Sequence, residues 1–183
     1  SAATNNPPEA RKPVVKSALY LCIALPLALF AGQVMAAQPQ QIIGGDDWAQ
    51  EATAAHSNGT PILLVFTSDN CSYCERLKSE LLEPLLQTGE LAASVRVREF
   101  SIDRGGKITD FDGERIRSRI FVERYDVFAT PTVLLLDRQG IPLASPIVGF
   151  DNAENYRILL NRTIDSAQPY LASNQEQPRA EVE

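Results

Sequence analysis

The chain has 183 residues, 44% of them apolar, enough for one domain with a closed hydrophobic core but crowded for two. Net charge is −6, and Glu9, Arg11, Lys12 and Lys16 make the first 36 residues +2, so the remainder carries −8, a balance that argues against nucleic-acid binding. Three cysteines exclude a disulfide-dense scaffold, and two of them, Cys71 and Cys74, stand three apart.

Residues 1–10 are polar and Pro-rich and read as a disordered leader or a remnant outside the fold. Residues 11–37 then run from Arg11, Lys12 and Lys16 through the apolar stretch Ala18 to Val34 into small residues, the order of a signal peptide. Cleavage after Ala36 would place Val34 and Ala36 at the two small-residue positions. The apolar stretch, about 17 residues with Pro26 inside it, sits at the lower limit for a spanning helix, so an uncleaved N-terminal membrane anchor is the alternative. Either way the following domain, residues 38–173, is expected to be exported. Cys22 lies in the apolar stretch without the small residues a lipoprotein site needs and reads as a packing residue.

Asp46, Asp47, Trp48 and the Ala-rich run to His56 predict a short helix with acidic residues in its first turn, ended by Ser57, Asn58 and Gly59. Pro61 to Thr67 (PILLVFT) is a continuous apolar run, as expected for a strand buried on both faces. Ser68, Asp69 and Asn70 form a turn with capping chemistry, and Cys71 to Gln87 has helical periodicity through Leu77, Leu81, Leu82, Leu85 and Leu86, with a kink expected at Pro84. Val95 to Ile102 reads as a strand with one more exposed face carrying Arg96 and Arg98, and Arg104 to Gly113 as a loop.

Glu114 to Tyr125 predicts a helix with Ile116, Ile120 and Phe121 inward and Arg115, Arg117, Arg119 and Arg124 solvated. Pro131 to Asp137 (PTVLLLD) is a second buried strand, turning at Arg138, Gln139 and Gly140 into an edge strand, Ile141 to Val148, marked by Pro142 and Pro146. Asp151 and Glu154 resemble a capping box opening a last helix through Tyr156, Leu160 and Ile164. Residues 174–183 read as a flexible acidic tail. The order predicts an α/β domain whose mixed central sheet has helices on both faces.

A Cys-x-x-Cys pair opening a helix after a buried strand has a specific consequence. Cys71 at the helix start meets unsatisfied backbone N–H groups and the positive end of the dipole, which favour a thiolate. Cys74, one turn inward, can attack a mixed disulfide and release the product. A structural zinc site lacks ligands, since outside the targeting segment only His56 joins the two cysteines as a soft or imidazole donor. A c-type haem would need His where Glu75 stands. A purely structural disulfide closing so short a loop would constrain the unfolded chain little. No metal and no cofactor is implied. The lone His56 reads as a surface residue, Trp48 as packing, and Asp103 as a turn cap at the end of its strand.

Over Asp46 to Ala172 these segments resemble the thioredoxin-fold oxidoreductases. PILLVFTSDNCSYC is similar to the family's strand and catalytic motif. ATPTVLLLD is similar to its cis-proline segment, which implies that Pro131 is cis and that Thr130 offers its backbone to an extended substrate strand. Gly149 resembles the family's glycine at the substrate groove, and with Ser72 and Tyr73 these residues form the implied substrate-binding set. The buried Asp that cytoplasmic thioredoxins carry before the motif is absent, with Val65 and Thr67 at the aligning positions, which leaves Glu75 as a weak candidate for the proton acceptor. Tyr73 and Thr130 are similar to residues of periplasmic disulfide isomerases and exported thioredoxin-like reductases. Relative to the short thioredoxin pattern there is extra sequence around Gly105 to Ile120, open to readings as loop decoration or as a partner contact.

The resemblance implies a monomeric periplasmic thiol:disulfide oxidoreductase, first of all a reductase that draws on a membrane electron donor and acts on client proteins with disulfides or thiols. An isomerase or oxidant with the same dithiol, and a redox-independent peptide-binding module, are the alternatives.

Overall fold

The computed structural model describes residues 42–175, with side chains to residue 168. The expected leader, the targeting segment with Cys22 and Ala36, and residues 176–183 of the tail lie outside them. In chain order the elements begin with β1 (Ile43–Gly44), α1 (Trp48–Asn58), β2 (Ile62–Thr67), α2 (Ser72–Leu77), a π-helical turn (Lys78–Leu82) and α3 (Glu83–Gln87). There follow β3 (Arg96–Ser101), β4 (Lys107–Thr109), β5 (Arg115–Arg117), α4 (Ser118–Arg124), β6 (Thr132–Leu136), β7 (Ile147–Val148) and α5 (Ala153–Gln175).

Every residue of β2 is buried, because it runs through the centre of a sheet ordered β1-β3-β2-β6-β7 with a core on each side. β3 pairs with it in parallel and β6 antiparallel, so the sheet is mixed. Side chains alternate across a strand. Leu63 and Val65 therefore pack on one face with Leu77, Leu81, Leu85, Tyr156 and Leu160 from the α2–α3 segment and α5. Ile62, Leu64 and Phe66 pack on the other with Trp48, Phe100, Phe121 and Tyr125. Trp48 is wholly buried and stacks on Phe121 with centroids 4.9 Å apart, in line with its reading as packing. His56 is exposed, and its Nδ1 lies 2.9 Å from Arg138 Nη1; since a guanidinium can only donate, that nitrogen accepts.

Pro84 acts differently from a simple kink. The chain takes one π-helical turn before it, with the Glu83 N–H bonding Lys78 C=O five residues back, and Pro84 then falls in the first turn of α3, where a missing N–H costs nothing. The wide turn keeps Leu81, Leu82, Leu85 and Leu86 all buried.

The stretch expected as a loop, Arg104 to Gly113, contains β4, which pairs antiparallel with β5 through Ile108 and Ile116. The helix expected from Glu114 begins only at Ser118, and Ile120 is exposed. Three-residue strands with one central apolar residue carry too little pattern to read from sequence. The hairpin is structural: Ile108 is wholly buried among the aromatic residues beside Trp48, and Thr109 N–H donates to Asp46 C=O at 2.9 Å. Its turn is pinned by Asp110, whose carboxylate takes two bonds from Arg124, so Arg124 is not merely solvated. Phe111 packs where a Cβ on Gly140 (φ +79°) would stand 2.4 Å from its ring.

Three other expectations change. The edge strand expected over Ile141 to Val148 shortens to β7 at Ile147–Val148, with a single bridge between Leu136 and Pro142 before it. Asn152, not Asp151, caps α5, accepting from Asn155 N–H at 3.0 Å, while Asp151 accepts from the side-chain amides of Asn152 and Asn155; α5 itself runs to Gln175, into the expected tail. Arg98, expected on an exposed face of β3, is buried, because Glu51 of α1 reaches over it, with Glu51 Oε2 2.7 Å from Arg98 Nε and a further bond from Arg96.

Burial pushes the Glu51 carboxyl up, but hydrogen bonds and charge from Arg98 and Arg96 outweigh it and hold the group below its ordinary 4.5. A depressed carboxyl stabilises the fold above its unfolded pKa and loses that contribution as pH falls through the folded value. Glu51→Gln is expected to cost about 2 kcal/mol at neutral pH, measured by urea unfolding, and the difference from the parent should shrink as pH drops below 4.5.

Candidate functional site

The site begins where β2 leaves the sheet. Thr67 is its last residue, Ser68 follows, and the chain turns through Asp69 and Asn70, the latter in the left-handed region at φ +56°. Asp103, just past β3, accepts from Asp69 N–H at 2.7 Å, so the expected turn cap in fact ties the active loop to the neighbouring strand. Helix α2 is capped by Cys71 itself: its backbone is extended, and its Sγ accepts from Cys74 N–H at 3.1 Å. A sulfur thus does the work that an Asp or Ser side chain does at most helix starts.

Cys71 and Cys74 are joined in a disulfide with Cα atoms 5.2 Å apart. The two sulfurs differ in access: Cys71 is half-buried, whereas Cys74 is 1% exposed and packed under the helix. Ser72 and Tyr73 lie exposed on the first turn between them, Tyr73 at 55%.

The second wall is the loop entering β6. The Thr130–Pro131 bond is cis, as the resemblance implied, and Thr132 Oγ1 donates to Ala129 C=O at 2.7 Å. Thr130 Oγ1 donates toward Cys71 Sγ at 3.5 Å and lies 2.7 Å from Ser68 Oγ. Gly149 follows β7, and its N–H donates to Pro131 C=O at 2.8 Å. A Cβ there would meet no other atom of the protein within 4 Å, and the backbone stands at φ +83°, a conformation glycine adopts without strain. The residues singled out in sequence therefore converge: the disulfide, the Thr130–Pro131 loop and Gly149 are linked by hydrogen bonds and by the β6–β7 pairing, while Ser72 and Tyr73 form the outer edge.

Four residues escaped the sequence reading. Phe128, two before Thr130, is 82% exposed and carries the only hint available, an aromatic beside a Thr-Pro pair. Ser68 was seen only as turn chemistry. Glu99 stands on β3 in register with Val65, accepting from Thr67 Oγ1 at 2.9 Å and pairing with Lys78 at 3.2 Å. Lys78, one turn beyond Cys74, also holds Glu75 at 2.8 Å. Burial works against its ammonium, but the hydrogen bonds and charges of Glu75 and Glu99 prevail and raise it above the ordinary lysine value. The carboxylate under α2 is thus Glu99, and Glu75 is 73% exposed on the helix exterior.

What an external sulfur can reach here is one half of a cystine whose other half is shielded, and that defines a thiol:disulfide oxidoreductase on a thioredoxin fold. The sequence matches the thioredoxin-like domain family over residues 48–164, and the chain belongs to it. It is 29% identical over 115 residues to the thiol:disulfide interchange protein DsbD of Ralstonia nicotianae, covering 63% of this chain but 17% of that protein's length. Among solved structures, a thioredoxin from Thermus thermophilus superposes with a TM-score of 0.52 at 17% identity, over 75% of this chain and 98% of that one. The oxidised DsbD C-terminal domain of Neisseria meningitidis gives 0.48 at 17% identity, over 66% and 98%.

The difference in burial has a direct readout. After reduction, a substoichiometric alkylating agent at neutral pH should modify Cys71 well ahead of Cys74, by about tenfold or more, as read by peptide mass spectrometry of the native protein.

Proposed function

We propose that this chain is an exported reductase that exchanges disulfides with client proteins through Cys71 and Cys74. The observation that carries the reading is the pairing of a reachable Cys71 with a buried Cys74 beside the Thr130–Pro131 loop. In the reduced protein the Cys71 thiolate attacks one sulfur of a client disulfide, and the other client sulfur leaves as a thiolate. Cys74, deprotonated, then attacks Cys71 Sγ; the mixed disulfide breaks, the second client thiolate departs, and the pair is left oxidised. Two electrons have passed to the client, and a membrane dithiol donor returns the pair to its reduced state.

Thr130 and Pro131 form the wall against which an extended client segment pairs, with Ser72, Tyr73 and Gly149 at its margins. We assign the Cys74 proton to Glu99, through water, since this carboxylate lies on the sheet face that α2 covers and pairs with Lys78. Export rests on the basic and apolar segment before the domain, residues 11–37, and the domain itself on residues 38–173. Among the described residues no helix is long and apolar enough to cross a membrane.

A second reading, as isomerase or oxidant, is favoured by the Thr130 hydroxyl at Cys71 Sγ, because a donor to the thiolate stabilises the reduced form and makes the pair more oxidising. The reduction potential against glutathione separates the two: a reductase should fall near the thioredoxin value of about −270 mV, whereas a value near about −120 mV would end the reductase reading.

Trapping tests the chemistry itself. Cys74→Ala should accumulate mixed disulfides between Cys71 and clients, visible on non-reducing gels and lost in Cys71→Ala. Glu99→Gln should slow resolution of a preformed mixed disulfide by about tenfold in stopped-flow measurement, with the first attack by Cys71 little changed.

A further inference from the structure

Ser68 has no role in the exchange just described, yet its hydroxyl sits 2.7 Å from Thr130 Oγ1, which in turn reaches Cys71 Sγ at 3.5 Å, a span suited to the large radius of sulfur. A threonine hydroxyl has one proton to give. If Thr130 directs it at the sulfur, the short contact between the two hydroxyls has only one arrangement, with Ser68 donating and Thr130 accepting. Such a chain is directional, and each bond polarises the next. It also bridges two segments that are separate in sequence, the exit of β2 and the cis-proline loop.

We propose that Ser68 is a positioning residue that aims the Thr130 hydroxyl at Cys71 and thereby sets the thiolate's proton affinity and the redox poise of the Cys71–Cys74 pair. In the disulfide the sulfur is a weak acceptor. In the reduced protein it carries a full negative charge, and a hydrogen bond to an ionised acceptor is roughly twice as strong. The relay therefore favours the reduced form, lowers the pH at which Cys71 ionises and shifts the couple in the oxidising direction. The Cys74 N–H, which also donates to Cys71 Sγ, is backbone and is present whatever stands at position 68, so the side-chain contribution can be varied alone.

The inference rests on Cys71 being the attacking sulfur, which the parent protein reports separately. The experiment is the pH dependence of Cys71 alkylation, with the glutathione redox equilibrium, in the full chain and in Ser68→Ala, Ser68→Thr, Thr130→Val and the double variant Ser68→Ala with Thr130→Val. Ser68→Ala should raise the ionisation midpoint by about half a pH unit and shift the redox equilibrium about threefold toward the disulfide, about 15 mV more negative. Ser68→Thr, which keeps a hydroxyl, should restore the parent midpoint. Ser68→Ala should add nothing once Thr130 is valine, because the relay is already cut.

An unchanged or lowered midpoint in Ser68→Ala, or effects of the two substitutions that simply add, would overturn the assignment while leaving the exchange chemistry intact. If instead Cys74 alkylates first in the parent, the functional reading fails and this one falls with it. Thr130→Ser guards against strain at the cis-proline loop, since it retains the hydroxyl and must keep its sensitivity to Ser68→Ala if the relay is real.

Discussion

The structure depends on burying β2 on both faces. Ile62, Leu64 and Phe66 anchor it in the aromatic core around Trp48 and Phe121, and Leu63 and Val65 anchor it in the aliphatic core under α2, α3 and α5. A strand held from both sides has one register and one exit point, and Cys71 stands four residues beyond that exit. The partners of the disulfide arrive by the same route. β6 pairs with β2 through Leu63↔Leu135 and Val65↔Val133, which brings the cis Thr130–Pro131 bond to the end of the sheet where the cysteine loop emerges. The parallel neighbour β3 delivers Asp103 to the loop amide of Asp69.

Charge is handled by pairing wherever the sheet would otherwise bury it alone. Glu51 bridges Arg96 and Arg98 above β3, and Arg124 meets Asp110 at the turn of the β4–β5 hairpin. Under α2 the ammonium of Lys78 is shared between Glu75 and Glu99. Of these groups Arg98 and Asp110 are the buried ones, and there a charge left without its partner would be costly; the more exposed partners contribute less. The Lys78–Glu99 pair differs in that Lys78 stands one helical turn beyond Cys74, and on the proposed mechanism the Glu99 carboxylate would also take the proton of that thiol.

The hydroxyl relay belongs to a different order of magnitude. The hydroxyl contacts of Ser68 and Thr130 are small beside the energy the cores supply. The proposed relay would act on a sulfur that changes charge during the reaction, and a weak contact is decisive only when it acts on one state and not the other.

The long apolar runs PILLVFT and PTVLLLD, the Cys-x-x-Cys spacing and the Thr-Pro pair were sufficient to read the α/β architecture and the core of the site, because burial on both faces leaves an unbroken apolar signature and a dithiol has few other uses at a helix start. The β4–β5 hairpin was illegible, since three-residue strands are specified by what Trp48 and Phe121 offer Ile108 rather than by their own pattern. Arg98 read as exposed because its partner, Glu51, lies 47 residues away on another element. Ser68 and Glu99 are the same case at the site: a hydroxyl and a carboxylate with no local pattern, given meaning by β2, β3 and β6 lying side by side. Sequence by itself determined the long buried strands, the helices beside them and the Cys71–Cys74 pair, which depend on local spacing and continuous burial; only tertiary structure decided the β4–β5 hairpin and which polar groups meet the pair, because those contacts join residues that the chain keeps far apart.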